Sequence, residues 1–306
     1  MIRSMVVGLG IGILLLACSG SSSSTGSGTP EGACDELVGA LCNKINDCTP
    51  AGLKVSYKDV NDCITRTKSS CLKAVNAPNT GATPAYASAC ASAFQSAPCG
   101  TDLNSIEACK TPAGSLADGQ PCGDAAQCQN RACNKTGEAT CGACAKRAAA
   151  GADCTDVPCD FGLRCAGNGK CVAPAKAGAA CGDNQPCESP SVCSKGTCGS
   201  GAAAGQSCAN GEVCDPLKAL FCLPTTKVCT EVKIANAGEA CGFVNDGLVA
   251  CGAGGKCKVA QGSTSGTCQA AAADGASCNT KDGPDCQEPA ECINGVCTIS
   301  DPGTCK

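Results

Sequence analysis

The chain has 306 residues, a formal net charge of −4, 43% hydrophobic residues and only 2% aromatic ones, with no tryptophan and no histidine. Without histidine, the commonest general base, proton shuttle and zinc ligand is missing, and a serine triad cannot be assembled. Basic residues form no patch and aromatics are nearly absent, so nucleic-acid binding has no support. What the chain does have is 35 cysteines.

Residues 1–17 are predicted to be an export signal. Arg3 supplies the positive start, and Val6 to Leu16 form an apolar stretch broken only by glycines. About a dozen apolar residues fall short of the roughly 20 needed to span a bilayer, which argues for a signal peptide over an anchor helix. The segment ends in Leu15-Leu16-Ala17-Cys18. This resembles the bacterial lipobox, which implies cleavage before Cys18 and lipidation of its thiol. Ser19 follows, where an aspartate would imply retention on the inner membrane, so the resemblance implies a lipid-anchored protein of the outer membrane, facing the periplasm or the cell surface. Residues 18–33 carry no apolar pattern and read as the lipidated cysteine and a flexible Ser/Gly tether.

Residues 34–110 are predicted to form a short helical domain with eight cysteines. Leu37, Val38, Leu41, Cys42, Ile45 and Cys48 recur at helical spacing. Ser56 with Asp59 resembles a capping box opening a second helix through Val75, and Thr83-Pro84 opens a third. Asp102 caps a short fourth turn. In an antiparallel hairpin of the first two helices, Cys48 and Cys63 lie near the turn and Cys42 and Cys71 further out. Rises of about 9 and 12 Å over six and eight residues make Cys48–Cys63 and Cys42–Cys71 the expected bridges.

Residues 114–306 are predicted to be six loop-rich modules of four cysteines each, with little regular secondary structure. The groups are 122/128/133/141, 154/159/165/171, 181/187/193/198, 208/214/222/229, 241/251/257/268 and 278/286/292/297. Each has a glycine three residues before its first cysteine: Gly119, Gly151, Gly178, Gly205, Gly238 and Gly275. Between Gly178 and Ala204 the only large aliphatic residue is Val192. Burying it stabilises by about 1.5–3 kcal/mol, whereas ordering each backbone residue costs about 1–2 kcal/mol. Cross-links must therefore hold the modules. Cys144 and Cys305 fall outside the groups. Either they meet each other in a closed array, or each finds a local partner, with Cys144 joining a cysteine of the first module.

The segments Gly151-Ala-Asp-Cys154 through Cys165-Ala-Gly-Asn-Gly-Lys-Cys171, and Gly275-Ala-Ser-Cys278 through Cys292-Ile-Asn-Gly-Val-Cys297, carry a resemblance. Residues 119–305 resemble the cysteine-rich repeats of bacterial lipoproteins grouped with the Dickkopf N-terminal cysteine-rich domain. The resemblance implies an extracellular, disulfide-bonded, non-enzymatic protein and implies no ligand.

No catalytic, cofactor-binding or metal site is expected. Asp153, Asp156 and Asp160, and Asp282, Asp285, Glu288 and Glu291, read as solvated loop charges. Cys141-Gly-Ala-Cys144 has redox spacing but lacks a thioredoxin-like strand–helix context. The expected function is a surface-anchored interaction, adhesion or structural lipoprotein, attached to the membrane through its N-terminal lipid and meeting an extracellular protein or glycan. The alternative is a disulfide-rich inhibitor of extracellular proteases. Because Cys18 is the acyl acceptor in this reading, Cys18→Ala is expected to abolish incorporation of labelled fatty acid and partitioning into detergent. A variant that still fractionates with membranes refutes the anchor.

Overall fold

The computed structural model describes residues 28–137 and 139–306. Cys18, the signal segment and most of the tether lie outside the described residues.

A helical hub comes first. Helix α1 (Pro30–Cys48) starts inside the stretch read as tether; the Thr29 side chain accepts from the Gly32 N–H and Pro30 opens the first turn. Its Leu37, Val38, Leu41 and Cys42 form the buried face. A short α2 (Pro50–Ser56) follows after Thr49. Helix α3 (Val60–Val75) is capped by Asp59, which accepts from the Asp62 N–H at 2.9 Å. Ser56 is thus the last residue of α2 and not a cap. Helix α4 (Pro84–Ser96) begins at the expected Thr83-Pro84 cap. The expected fourth turn is a pair of 3₁₀ turns, Leu103–Ser105 and Glu107–Cys109, the first capped by Asp102. Tyr86, Ala87, Phe94 and Val38 pack at the centre.

The hub bridges are Cys34–Cys71, Cys42–Cys63, Cys48–Cys99 and Cys90–Cys109. This corrects both expected pairs, Cys48–Cys63 and Cys42–Cys71. The cause is α2, which fills the corner between the long helices, so that α3 starts level with Cys42 and not with Cys48. Cys34 and Cys42 are then eight residues apart on one helix and Cys63 and Cys71 eight apart on the other, the same rise of about 12 Å. Cys48 is left facing the chain that leaves α4.

Six cysteine-rich modules follow, all wired alike. First pairs with third and second with fourth: Cys122–Cys133 and Cys128–Cys144, Cys154–Cys165 and Cys159–Cys171, Cys181–Cys193 and Cys187–Cys198. The same holds for Cys208–Cys222 and Cys214–Cys229, Cys241–Cys257 and Cys251–Cys268, Cys278–Cys292 and Cys286–Cys297. Third and fourth cysteines always stand opposite each other on two antiparallel strands, as in Cys133↔Cys144 and Cys292↔Cys297. Two crossed bridges then pin that strand pair to the loop before it.

The module-opening glycine sets the turn. Gly151 has φ +79°, and its N–H donates to the carbonyl of the fourth cysteine, Cys171, at 2.8 Å. The equivalent bond is made by Gly119, Gly178, Gly205, Gly238 and Gly275, all with positive φ. An added Cβ at Gly151 would meet nothing within 4 Å, so glycine is needed there for its backbone conformation and not for space. The Gly119 bond goes to Cys144. Cys144, not Cys141, is therefore the fourth cysteine of the first module.

The modules wrap the hub in sequence order and close on themselves. Ala126 of the first module accepts from Gly81, and Gln127 donates to Pro78. In the second, Phe161 packs on the hub core and Arg164 bonds Asp102 and, in the third, Ser189. Pro190 of the third and Leu217 of the fourth flank Gly100. Ala253 and Gly254 of the fifth donate to the carbonyls of Lys54 and Val55. Arg66 of α3 reaches Asp274 and the Gln287 and Glu288 carbonyls around the sixth. The C-terminal segment then returns to the first module, where Gln127 donates to the Pro302 carbonyl and Cys141 is bridged to Cys305. Of the two arrangements left open by the sequence, both are realised in part. Cys144 has a local partner, and the array is closed, through Cys141 instead of Cys144.

Cys141–Cys305 spans 164 residues, the longest loop of any bridge among the described residues. That loop is already shortened by the bridges inside it, which moderates the entropic gain. The Cys141→Ser/Cys305→Ser double variant is expected to fold with the other pairs intact and to lose about 2–4 kcal/mol in guanidinium unfolding. Peptide mapping without reduction checks the wiring. Recovery of a Cys141–Cys144 or Cys144–Cys305 peptide from the native protein refutes it.

Candidate functional site

A cleft and a smaller cavity lie where the closed collar of modules meets the hub. The larger, a cleft of about 670 Å³, runs between α2 and the fifth and sixth modules. One wall is α2 and the residues just after it: Pro50, Ala51, Lys54, Tyr57 and Lys58. The other is the strand Lys233–Ala235 with its flanks Val232, Asn236 and Ala237, and the floor is alanine and glycine from the fifth module and the following linker.

Local sequence explains each wall. Thr49-Pro50 starts α2, and the extended backbone at Tyr57 ends it, which turns Lys54 and Lys58 outward while Leu53 and Tyr57 point into the hub. The Tyr57 hydroxyl lies 3.4 Å from the Thr67 hydroxyl. Burial pushes its pKa up, and its ring serves as wall, not reagent. The facing strand belongs to the fifth module, where the cysteine gaps are long enough to form hairpins. Strands Ala240–Val244, Gly247–Cys251, Lys256–Val259 and Ser265–Gln269 join Lys233–Ala235 in a five-stranded sheet, and Lys233–Ala235 is at its edge. Its neighbour in the sheet is Gly247–Cys251, with Ile234 opposite Ala250 in parallel register.

Beside the cleft, the Glu288 carboxylate is hydrogen-bonded to the Ser56 side chain, and burial raises its pKa above the ordinary 4.5. Arg66 does not neutralise it, since the guanidinium contacts the Glu288 carbonyl, the Gln287 carbonyl and the Asp274 carboxylate.

The second site is a cavity of about 120 Å³ between Asp102–Ser105 of the hub and the second and third modules. Its cations are engaged within the protein: Arg164 bonds Asp102 at 3.1 Å and Ser189 at 2.6 Å, and the Arg147 guanidinium lies 4.2 Å from the centre of the Phe161 ring. This is a structural seam.

The carboxylates and cysteines singled out from the sequence can now be placed. Asp153 faces Lys170 and the Thr155 N–H, Asp160 accepts from its neighbour Phe161, and Asp285 pairs with Lys256 at 3.1 Å. They occupy separate turns and form no acid/base pair. Within modules, three sulfurs lie within 4.8 Å of one another, a spacing that could suit a metal. It results from two disulfides crossing, and every described cysteine is in a bridge, so these sulfurs are oxidised and not thiolates. Cys141 and Cys144 serve two different bridges and are not a redox pair. The lipidation residue Cys18 lies outside the described residues.

The cleft residues carry no sequence signal, because Lys54 and Gln287 meet only when the collar closes on the hub. The fourth cysteine of the first module does carry one. Gly142-Ala143-Cys144 matches the closing Gly-X-Cys of Gly169-Lys170-Cys171 and Gly196-Thr197-Cys198. No family profile, curated protein or solved structure matches the chain.

Glu288 generates a pH prediction. A carboxyl whose folded pKa is raised binds its proton more tightly in the folded state, so its contribution is full below the unfolded value and is lost as pH rises through the folded one. Glu288→Gln is therefore expected to melt like the parent at about pH 4 and at a higher temperature at about pH 7.5. A lower melting temperature under the second condition would show that the ionised carboxylate supports the fold.

Proposed function

We propose that the protein is a lipid-anchored interaction module of the outer membrane, held by acylated Cys18 and presenting its collar to an extracellular protein or glycan, without catalysis or cofactor. One observation carries this reading. All the described cysteines are spent on bridges within a helical hub and the closed collar around it, and none of them is left as a thiol to react or to bind metal. Disulfides on this scale form in oxidising compartments, which agrees with the export signal. The resemblance to Dickkopf-type repeats points the same way.

A rigid, cross-linked surface binds without the ordering cost that a flexible one incurs. The cleft at α2 is a concave feature of that surface, larger than the cavity beside Asp102. The protease-inhibitor alternative needs a loop that protrudes into a foreign active site. The long inter-cysteine segments are mostly engaged in the fold: 241–251 and 257–268 build the five-stranded sheet, and 214–222 sets Leu217 against the hub at Gly100, which leaves the exposed hairpin turn 260–264 as the segment an inhibitor would use. Interaction is the better-supported role.

The test uses intact cells. An epitope-tagged chain is expected to co-fractionate with the outer membrane, and the purified lipoprotein to leave a panel of serine, cysteine and metalloproteases uninhibited. Stoichiometric inhibition of any of them transfers the assignment to the inhibitor class. A soluble, membrane-free chain removes the anchor on which the proposal depends.

A further inference from the structure

The cleft has chemistry specific enough to name a ligand class. Lys54 and Lys58 are exposed on its rim, and among the described residues neither ammonium has an ion-pair partner. Among the described residues no carboxylate lines it, in a chain whose net charge is −4. A nearby acid, Glu288, is engaged with Ser56. The remaining surface is small and aliphatic, and the amides of Asn236 and Gln287 are its other polar side chains apart from the buried Tyr57. An anion with short apolar groups fits this lining; a cation does not.

The opposite wall selects among anions. Ala235 accepts from the Gly252 N–H, so its backbone faces the neighbouring strand. Strand alternation then turns the Ile234 N–H and C=O to the other edge, where no strand among the described residues pairs with them. An unpaired edge beside a cleft is how extended peptides are received, by main-chain hydrogen bonds with alternate side chains placed on one side. A glycan's hydroxyls can bond single groups of that edge but lack the regular donor–acceptor spacing of a strand, and the described lining offers no exposed aromatic face for a sugar to stack on. A volume of about 670 Å³ is within the ~300–1,000 Å³ of ligand clefts.

We infer that the cleft between α2 and the strand Lys233–Ala235 binds an extended acidic peptide segment, its backbone paired to Ile234 and its carboxylates to Lys54 and Lys58. The segment belongs to the partner protein, so the inference rests on the reading of the chain as an interaction module and specifies its ligand.

The experiment measures binding of an acetylated, fluorescent Val-Glu-Val-Glu-Val peptide to the full mature chain by polarisation. Binding is expected to weaken at least about tenfold in Lys54→Glu/Lys58→Glu, and again between roughly 50 and 500 mM salt. Both lysines are exposed, so the variant should melt as the parent does, which separates lost binding from lost folding. N-methylation of the central valine should also cost at least about tenfold, because it removes one main-chain donor. Equal affinity for a Val-Lys-Val-Lys-Val peptide, equal affinity in the charge-reversed variant, or indifference to N-methylation each overturns the proposal. So does binding of oligogalacturonate at the same site with the peptide unable to displace it. If the peptide never binds while the lipoprotein still co-fractionates with the outer membrane and inhibits no protease, the cleft assignment fails and the interaction module stands. A chain that neither binds the peptide nor fractionates with membranes counts against the module reading itself.

Discussion

The structure depends on a constraint met six times over: a segment of about thirty residues with almost nothing apolar to bury must still adopt one conformation. Each module solves it with a crossed pair of disulfides around one backbone hydrogen bond. The N–H of a glycine in left-handed backbone donates to the carbonyl of the fourth cysteine, and the two bridges fix the strands on either side. The local clusters show how little else is available. In the third module the buried set is Ala175, Cys187 and Cys198, so the disulfides are themselves the core. Cystine sulfur is apolar and packs as a hydrophobe, and it therefore supplies both the cross-link and the burial that leucine would give elsewhere.

Modules wired this way are rigid inside, and neighbours are joined by single contacts such as the Gly167 N–H on the Asp183 carbonyl and the Lys195 N–H on the Gly211 carbonyl. The hub adds a frame common to all six. Every module makes at least one specific contact with it, and most of these are directional: backbone amides of Ala253 and Gly254 on the carbonyls of α2, Arg66 on carbonyls of the sixth module, Lys73 on the Ile299 carbonyl at 2.8 Å. An isolated surface ion pair contributes little, and the pairs here are half-exposed. Hydrogen bonds to helix-end carbonyls do more, because those acceptors have no partner within the helix. Closure adds a constraint of a different kind. Gly123 lies so near Pro302 that an added Cβ would come within 2.4 Å of its Cα. The two ends of the collar are thus packed as tightly as a core, and Cys141–Cys305 makes that contact permanent.

What is legible in the sequence divides along the same line. Helical spacing, the Thr83-Pro84 cap and the six glycine–cysteine groups are local, and local patterns survive into the fold. The hub bridges are not legible, because α2 is a seven-residue helix with no apolar periodicity of its own, and omitting it moves α3 by about two turns relative to α1. Cys144 is obscured for a different reason. Counting cysteines in fours stops at Cys141, whereas the physical marker is the Gly-X-Cys return that pairs with the opening glycine. Weighed above the count, that marker leaves Cys141 and Cys305 as the two outside the groups, and closure follows from parity.

The cleft is the feature that no local pattern encodes, and closure explains why it can exist. One wall belongs to the hub and the other to the fifth module, two bodies that share no disulfide among the described residues. Their separation is set by the Lys54 and Val55 carbonyls gripping Ala253 and Gly254 below the cleft, and by a collar that cannot lengthen because its ends are bridged. The fifth module is also where the cysteine gaps are widest. The additional residues there build four strands instead of a looser loop, and Lys233–Ala235, just before the opening glycine, completes the sheet with an outer edge that no described strand pairs, opposite two lysines that have no ion-pair partner among the described residues. In a protein otherwise committed to satisfying every described thiol, that is where unspent hydrogen-bonding capacity and unspent charge coincide.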